Sequence, residues 1–190
     1  MKASGIILSG GLGRRVNGAD KGLLAWRDRT LVEAVIGCLQ PQVMDIVISA
    51  NRNLDHYQSL GLAVVSDTLD DFQGPLAGVL AALPLCELGT AIVVPCDSPQ
   101  LPQQLAKRLL QPLHDDTVDL SYAHDGERAQ YLLTAVRVRC LSSLQDYLAE
   151  GGRSVRGWHR QLHCAVVDFS DCRPQLLNLN EGQPGKKNPP

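Results

Sequence analysis

Short apolar runs that stop abruptly at glycine or polar residues alternate with helical patterns through most of the chain. That alternation restricts the fold more than any other feature. Residues 4–8 (SGIIL) stop at Ser9-Gly10-Gly11, and a helical pattern follows over 31–39. Residues 45–49 (DIVIS) precede a short helix over 54–60, and 63–65 (AVV) precede a helix over 75–83. Residues 91–94 (AIVV) lead through Cys96-Asp97-Ser98-Pro99 to a helix near 102–113. The runs are apolar throughout instead of at every second position, which marks strands covered on both faces. Strand and helix in turn predict a mostly parallel sheet joined by right-handed crossovers.

The second half changes character. Residues 120–123 and 132–136 flank His124-Asp125-Gly126-Glu127-Arg128, which reads as a loop between two antiparallel strands. A helix over 138–150 is ended by Gly151-Gly152, and 165–169 form a last strand. The expected fold is an α/β three-layer sandwich, Rossmann-like, with a mostly parallel sheet and an antiparallel excursion in the C-terminal half. No repeat or interdomain linker is visible, so a single domain is expected over residues 1–181. Residues 182–190 (GQPGKKNPP) hold three prolines, two glycines and two lysines, cannot bury a face, and are expected to be a flexible tail.

Composition narrows the function classes. With 18 Lys+Arg against 20 Asp+Glu the net charge is −2, so no basic stripe is available to displace counterions from a nucleic acid. An anionic ligand must be held by a few local cations. No apolar run reaches the roughly 18 residues of a membrane span, and residues 1–8 are too short and too weakly basic for a signal peptide. A cytoplasmic protein without membrane partners is expected. Six cysteines at 38, 86, 96, 140, 164 and 172 form no C-x-x-C pair, so neither zinc nor a redox motif is indicated and the thiols are expected to stay reduced.

The chemistry concentrates after the first strand, in Leu8-Ser9-Gly10-Gly11-Leu12-Gly13-Arg14-Arg15 followed by Gly18, Asp20, Lys21 and Gly22. Residues without side chains let a backbone approach phosphate closely, and consecutive N–H groups form an anion nest. Arg15 and Lys21 add full charges there. Neither a Walker loop nor G-x-G-x-x-G is present, and a tight structural turn accounts for Gly10-Gly11 about as well. Asp97 follows a buried strand, where ligands gather in open α/β sheets; the alternative is that it caps the next helix. Asn51 and Asp67 follow strands two and three and should reach the same edge.

Taken in order, L-S-G-G-L-G-R-R-V-N-G-A-D-K-G closely resembles the L-A-G-G-x-x-x-R-M-G-x-x-K signature of nucleotidyltransferases. The added Asp20 and Gly22 make it similar to the molybdenum cofactor guanylyltransferase family. The likeness continues through Ser49-Ala50-Asn51-Arg52, Ser66-Asp67, Gly74-Pro75-Leu76-Ala77-Gly78, Pro95-Cys96-Asp97-Ser98-Pro99, 124–128 and 167–171, and spans roughly residues 4–180. It implies a nucleotide-diphospho-sugar transferase-like fold with GTP in the N-terminal half and molybdopterin in the C-terminal half. The implied reaction transfers GMP from GTP to the terminal phosphate of molybdenum-molybdopterin, forming the guanine dinucleotide cofactor and releasing pyrophosphate.

The same resemblance assigns roles. Leu8, Ser9 and Gly10 would wrap the guanine and ribose end, Gly11 to Arg15 would fold around the phosphates with Gly18 as a further binding residue, and Lys21 would hold the phosphates as a point charge. Asp67 would sit near the nucleoside, with Asn51 as a further binding residue at the same edge, and Asp97 would carry Mg²⁺. Gly74 and Gly78 would lie between nucleotide and pterin, although Pro75 also fits a plain helix start. Arg128, Arg153, Arg156, Asn178 and Asn180 are candidates for molybdopterin. Ser49 stands where family members often have Asn, and a hydroxyl replaces only part of an amide's hydrogen bonding. The usual T-P-E-E-L after the paired asparagines is replaced by Glu181-Gly182-Gln183-Pro184. His124 is not needed as a base, because a phosphate nucleophile is already ionised. His56, His114, His159 and His163 lack metal-ligand spacing. Molybdenum insertion proteins and apo-molybdoenzymes or their chaperones are the implied protein partners. A cytidylyltransferase using CTP, and a non-catalytic carrier of the finished cofactor, are the competing readings.

Overall fold

The computed structural model describes residues 2–10, 20–67, 74–176 and 178. Strand β1 (Ser4–Leu8) is followed by a hairpin of β2 (Ala25–Trp26) and β3 (Arg29–Thr30), then helix α1 (Leu31–Leu39). Thr30 and Glu33 start α1 with a capping box, each satisfying a backbone N–H that the helix leaves open. Strand β4 (Ile46–Ser49), α2 (Leu54–Ser59), β5 (Ala63–Val65), α3 (Pro75–Ala82), β6 (Thr90–Pro95) and α4 (Leu105–Leu110) complete the alternating portion. Strands β7 (Leu120–His124) and β8 (Ala129–Arg137), helices α5 (Leu141–Ala149) and α6 (Val155–His159), and strand β9 (Cys164–Asp168) follow.

Among the described residues, seven strands form one sheet in the order β5-β4-β1-β6-β8-β7-β9. The pairs β5/β4, β4/β1, β1/β6 and β7/β9 are parallel, while β8 runs antiparallel to both β6 and β7. The excursion is therefore one reversed strand slotted into an otherwise parallel sheet. Alternate strand residues face opposite layers. Ile7, Ile48, Ile92 and Val94 pack with α1 and α4 residues such as Val35 and Leu105, whereas Ile6, Leu8, Val47 and Val93 pack with Leu76, Val79, Leu144 and Trp158. Both faces are buried, which is why these strands read as unbroken apolar runs. This is the expected three-layer sandwich.

The pairing of β7 and β8 is irregular where it matters. Tyr122 pairs with Thr134 but Ala123 pairs with Gln130, so one step along β7 spans residues 130 to 134 of β8. Tyr131, Leu132 and Leu133 bulge out of the ladder between those pairs. A bulge re-aims side chains next to a site. The hairpin of β2 and β3 and helix α6 were not anticipated; two-residue strands and a five-residue helix are too short to display a period. Residues 182–190, the expected tail, lie outside the described residues. Among the described residues no helix is long and apolar enough to cross a membrane, and all six cysteines are free thiols.

Candidate active site

Because β1, β4, β5 and β6 are parallel, the segments that leave them emerge at one edge: Ser9-Gly10, Ala50-Asn51, Ser66-Asp67 and Cys96-Asp97-Ser98. Ser9 N–H donates to the Ser49 carbonyl at 2.7 Å and Cys96 N–H to the Leu8 carbonyl at 3.1 Å, extending the ladder to this edge. Asn51 ties three of the segments together. Its Oδ1 accepts from the Asp67 N–H at 3.0 Å, and its Nδ2 lies 3.2 Å from where a Cβ on Gly10 would stand. Leu8, Ser9, Gly10, Asn51 and Asp67 thus meet as the sequence implied.

Lys21 and Asp97 meet at the same edge. The Lys21 ammonium donates to Asp97 Oδ2 at 2.5 Å, across 76 residues of sequence. The side chains are 32% and 13% exposed, so the pair is partly shielded from water yet reachable. The other oxygen of Asp97, Oδ1, is buried with no hydrogen-bond partner. An unpaired buried carboxylate oxygen is unfavourable unless something electropositive meets it, and a hard oxygen donor suits a hard cation such as Mg²⁺. No group of three or more metal-ligating side chains occurs among the described residues. Asp97 does not cap the following helix, which removes the alternative role: the residue at the cap of α4 is Gln104. The neighbouring Cys96 thiol, buried and beside that carboxylate, is pushed up to about 12 and stays protonated.

The two glycines of the 74–78 segment differ. Gly74 is exposed with φ of 86°, a conformation that side chains rarely adopt, and Pro75 is the first residue of α3. Gly78 is buried: a Cβ there would sit 2.6 Å from Ser49 Oγ and 3.1 Å from Leu8 Cδ2. Gly78 therefore lets α3 approach β4 and β1 closely. The Ser49 hydroxyl, 1% exposed and unpartnered, lies in that contact, not on the open edge.

A second feature adjoins the first. A cavity of about 320 Å³ lies between the β8 bulge and the start of α6, lined by Gln130, Tyr131, Ser154, Arg156, Pro95 and Asn178 among others. Asn178 Oδ1 accepts from Ser98 Oγ at 2.7 Å, which fastens it one residue from Asp97. The cavity thus adjoins the charged edge. Tyr131 lies 5.1 Å from Tyr122 and 5.5 Å from His159 between ring centroids. His159 is 4% exposed, both its ring nitrogens lack partners, and burial lowers its pKa to about 4. Arg153 is turned elsewhere, its Nη1 donating to the carbonyls of Leu148 and Gly152 at the end of α5. Arg128 is exposed beyond β7, and neither arginine lines the cavity. Gln130, Tyr131 and Ser154 had not been singled out, because no local pattern announces a register shift between two strands or the start of a five-residue helix. Gly11, Arg15, Gly18 and Asn180 lie outside the described residues.

A mostly parallel seven-stranded sheet with one reversed strand and helices on both faces is also the fold of solved nucleotidyltransferases, among them one from Methanothermobacter thermautotroptrophicus with a TM-score of 0.72 over 93% of this chain at 19% identity. Over 93% of this chain and 92% of the other, the fold matches molybdopterin-guanine dinucleotide biosynthesis protein A from Archaeoglobus fulgidus, with a TM-score of 0.75 at 20% identity. Residues 5–165 match the model of the MobA-like NTP transferase domain, and the chain belongs to that family. It is 43% identical to a molybdenum cofactor guanylyltransferase from Mannheimia succiniciproducens, covering 93% of each chain. A second relative of that name, from Pasteurella multocida, is 41% identical, covering 93% of this chain and 94% of its own length.

Proposed function

We propose that this protein transfers GMP from GTP to the terminal phosphate of molybdopterin, forming the guanine dinucleotide cofactor and releasing pyrophosphate. The observation that carries the reading is the Lys21–Asp97 pair with its unpartnered Asp97 Oδ1. Joining one anion to another calls for alignment and charge neutralisation more than for covalent help from the protein. Lys21 holds the phosphates as a point charge, and Asp97, through its unpartnered Oδ1, would hold Mg²⁺. When bound, the ion neutralises charge on the reacting phosphate and the departing pyrophosphate.

Leu8, Ser9 and Gly10, with Asn51 fixing Asp67, cradle the nucleoside; Gly11, Arg15 and Gly18 belong to the phosphate end. The pterin enters the cavity, where Arg156 and Asn178 meet its polar groups, with Asn180 following. Gly74, just before α3, lies between the two substrates, and Gly78 acts through its packing against Ser49 and Leu8. Residues 1–181 act as one unit. The cofactor passes to apo-molybdoenzymes in the cytoplasm, from molybdenum insertion proteins upstream. The identities of 43% and 41% to guanylyltransferases favour GTP over CTP, and the charged pair favours catalysis over carriage.

The test is pyrophosphate release with molybdopterin and Mg²⁺ in the presence of GTP, CTP or ATP. Release with GTP alone is expected. Release with CTP alone, or with none of the three, contradicts the reading.

A further inference from the structure

Lys21 acts only if its ammonium is delivered to the right place, and a lysine stem has four flexible bonds. The residues on either side of it are unusually constrained. Asp20, immediately before, is 9% exposed, and its carboxylate accepts three hydrogen bonds. Oδ1 takes the Gly22 N–H at 3.1 Å and the Tyr57 hydroxyl at 2.8 Å; Oδ2 takes the Asn53 side-chain amide at 3.0 Å. An ionised carboxylate accepts without donating, so it suits a place where donors converge from three directions. A buried charge is tolerated when neutral dipoles satisfy it in this way.

Each donor is itself fixed. Tyr57 is among the largest fully buried side chains. Asn53 sits at the start of α2 with φ of 50°, a left-handed conformation that Asn tolerates better than most residues, and its side chain makes no capping bond to its own helix. That side chain reaches Asp20 instead. Gly22, immediately after Lys21, passes so close to Tyr57 that a Cβ would stand 2.5 Å from the hydroxyl. Both neighbours of Lys21 are therefore anchored to α2.

We propose that Asp20 is a positioning residue, whose carboxylate, clamped by Tyr57, Asn53 and Gly22, fixes the base of the Lys21 side chain so that its ammonium meets Asp97 and the substrate phosphates. The kinetic part of this inference rests on the guanylyl-transfer reading above; the placement of Lys21 does not.

The geometry supplies a rescue that a merely structural role would not show. In Asp20→Asn one carboxylate oxygen becomes an amide donor, so the Asn53 amide can no longer donate there and keeps a bond only by turning its own oxygen inward. In the double variant Asp20→Asn/Asn53→Asp the same bond returns with its direction reversed and the same total charge. Asp20→Asn should lower kcat about tenfold or more, because misplacing a group at the reacting atoms costs rate more than binding, while KM for GTP moves by about threefold or less. The swap should return kcat to within about threefold of wild type. Acylation of Lys21, followed by mass spectrometry on the full chain with exposed Lys107 as internal control, should quicken in the single variant and slow again in the swap.

Wild-type kcat in Asp20→Asn, or a folded swap variant that stays as slow as the single one, overturns the proposal. Unchanged Lys21 acylation in Asp20→Asn overturns it too. If Asp20→Asn does not fold, Tyr57→Phe removes one donor and keeps the ring; faster Lys21 acylation there supports the clamp, and an unchanged rate overturns it. A wild type inactive with GTP and molybdopterin defeats the functional reading, and the acylation measurements then decide the placement of Lys21 by themselves.

Discussion

At the ends of β1, β4, β5 and β6 polar groups hold one another: the Asn51 side chain accepts from the Asp67 backbone N–H, Asp20 gathers three donors, and Lys21 meets Asp97. In the cavity beside β8 the walls are set by packing. Tyr131 is propped by Tyr122 and His159, Arg156 is exposed at the rim, and His159 is buried without a partner for either nitrogen. The first region holds its charged groups in place in advance, as transfer between two anions demands. The second presents packed surface with few fixed polar groups, as small-molecule pockets commonly do. On the proposed reaction, the contrast puts turnover and GTP binding in the first region and molybdopterin affinity in the second.

The largest effect should come from Asp97→Ala, which removes the free oxygen and leaves Lys21 without its partner. Turnover should fall roughly 1,000-fold, about 4 kcal/mol of transition-state stabilisation, measured as pyrophosphate release at saturating substrates. Lys21→Ala should cost about 2 to 4 kcal/mol, by analogy with a lost oxyanion donor. The double variant should be scarcely slower than Asp97→Ala if the two act as a unit. Full additivity would break the picture of a coupled edge.

His159 tests the cavity side through stability. Its folded pKa of about 4 lies below the ordinary 6.5, so the unfolded chain takes up the proton first as pH falls. Stability is then complete above pH 6.5 and is lost progressively as pH drops toward 4, by at most about 3 kcal/mol. Urea midpoints for wild type and His159→Phe should diverge across that window, the wild type being the more acid-sensitive. Parallel curves would mean that the ring is hydrated or paired. The smallest effect is expected from Arg156→Ala. It should raise KM for molybdopterin about tenfold, roughly 1.4 kcal/mol, while KM for GTP stays unchanged. A change in both would blur the division between the two regions.

The two regions also differ in how plainly the sequence announced them. Strand ends followed by Gly10, Asn51, Asp67 and Asp97 fall at regular places in an α/β alternation, and parallel strands must bring such places to one edge. That edge was legible before any coordinates. The clamp around Asp20 was not, because Asn53 and Tyr57 lie on a short helix whose residues carry no motif of their own. The cavity was half legible. Arg156 and Asn178 were indicated, whereas the bulge that exposes Tyr131 depends on how β8 slips against β7, which no local propensity encodes. Gly78, expected between the two ligands, packs against Ser49, since an α3 this close to β4 leaves room for a glycine and a small hydroxyl only.

The central claim is that the Lys21–Asp97 edge grips the triphosphate. Calorimetric titration of GTP with Mg²⁺ into wild type and into folded Lys21→Ala tests it without any turnover. A Kd at least about tenfold weaker in the variant is predicted, the loss expected for one hydrogen bond to a charged group. Equal affinities would contradict the account.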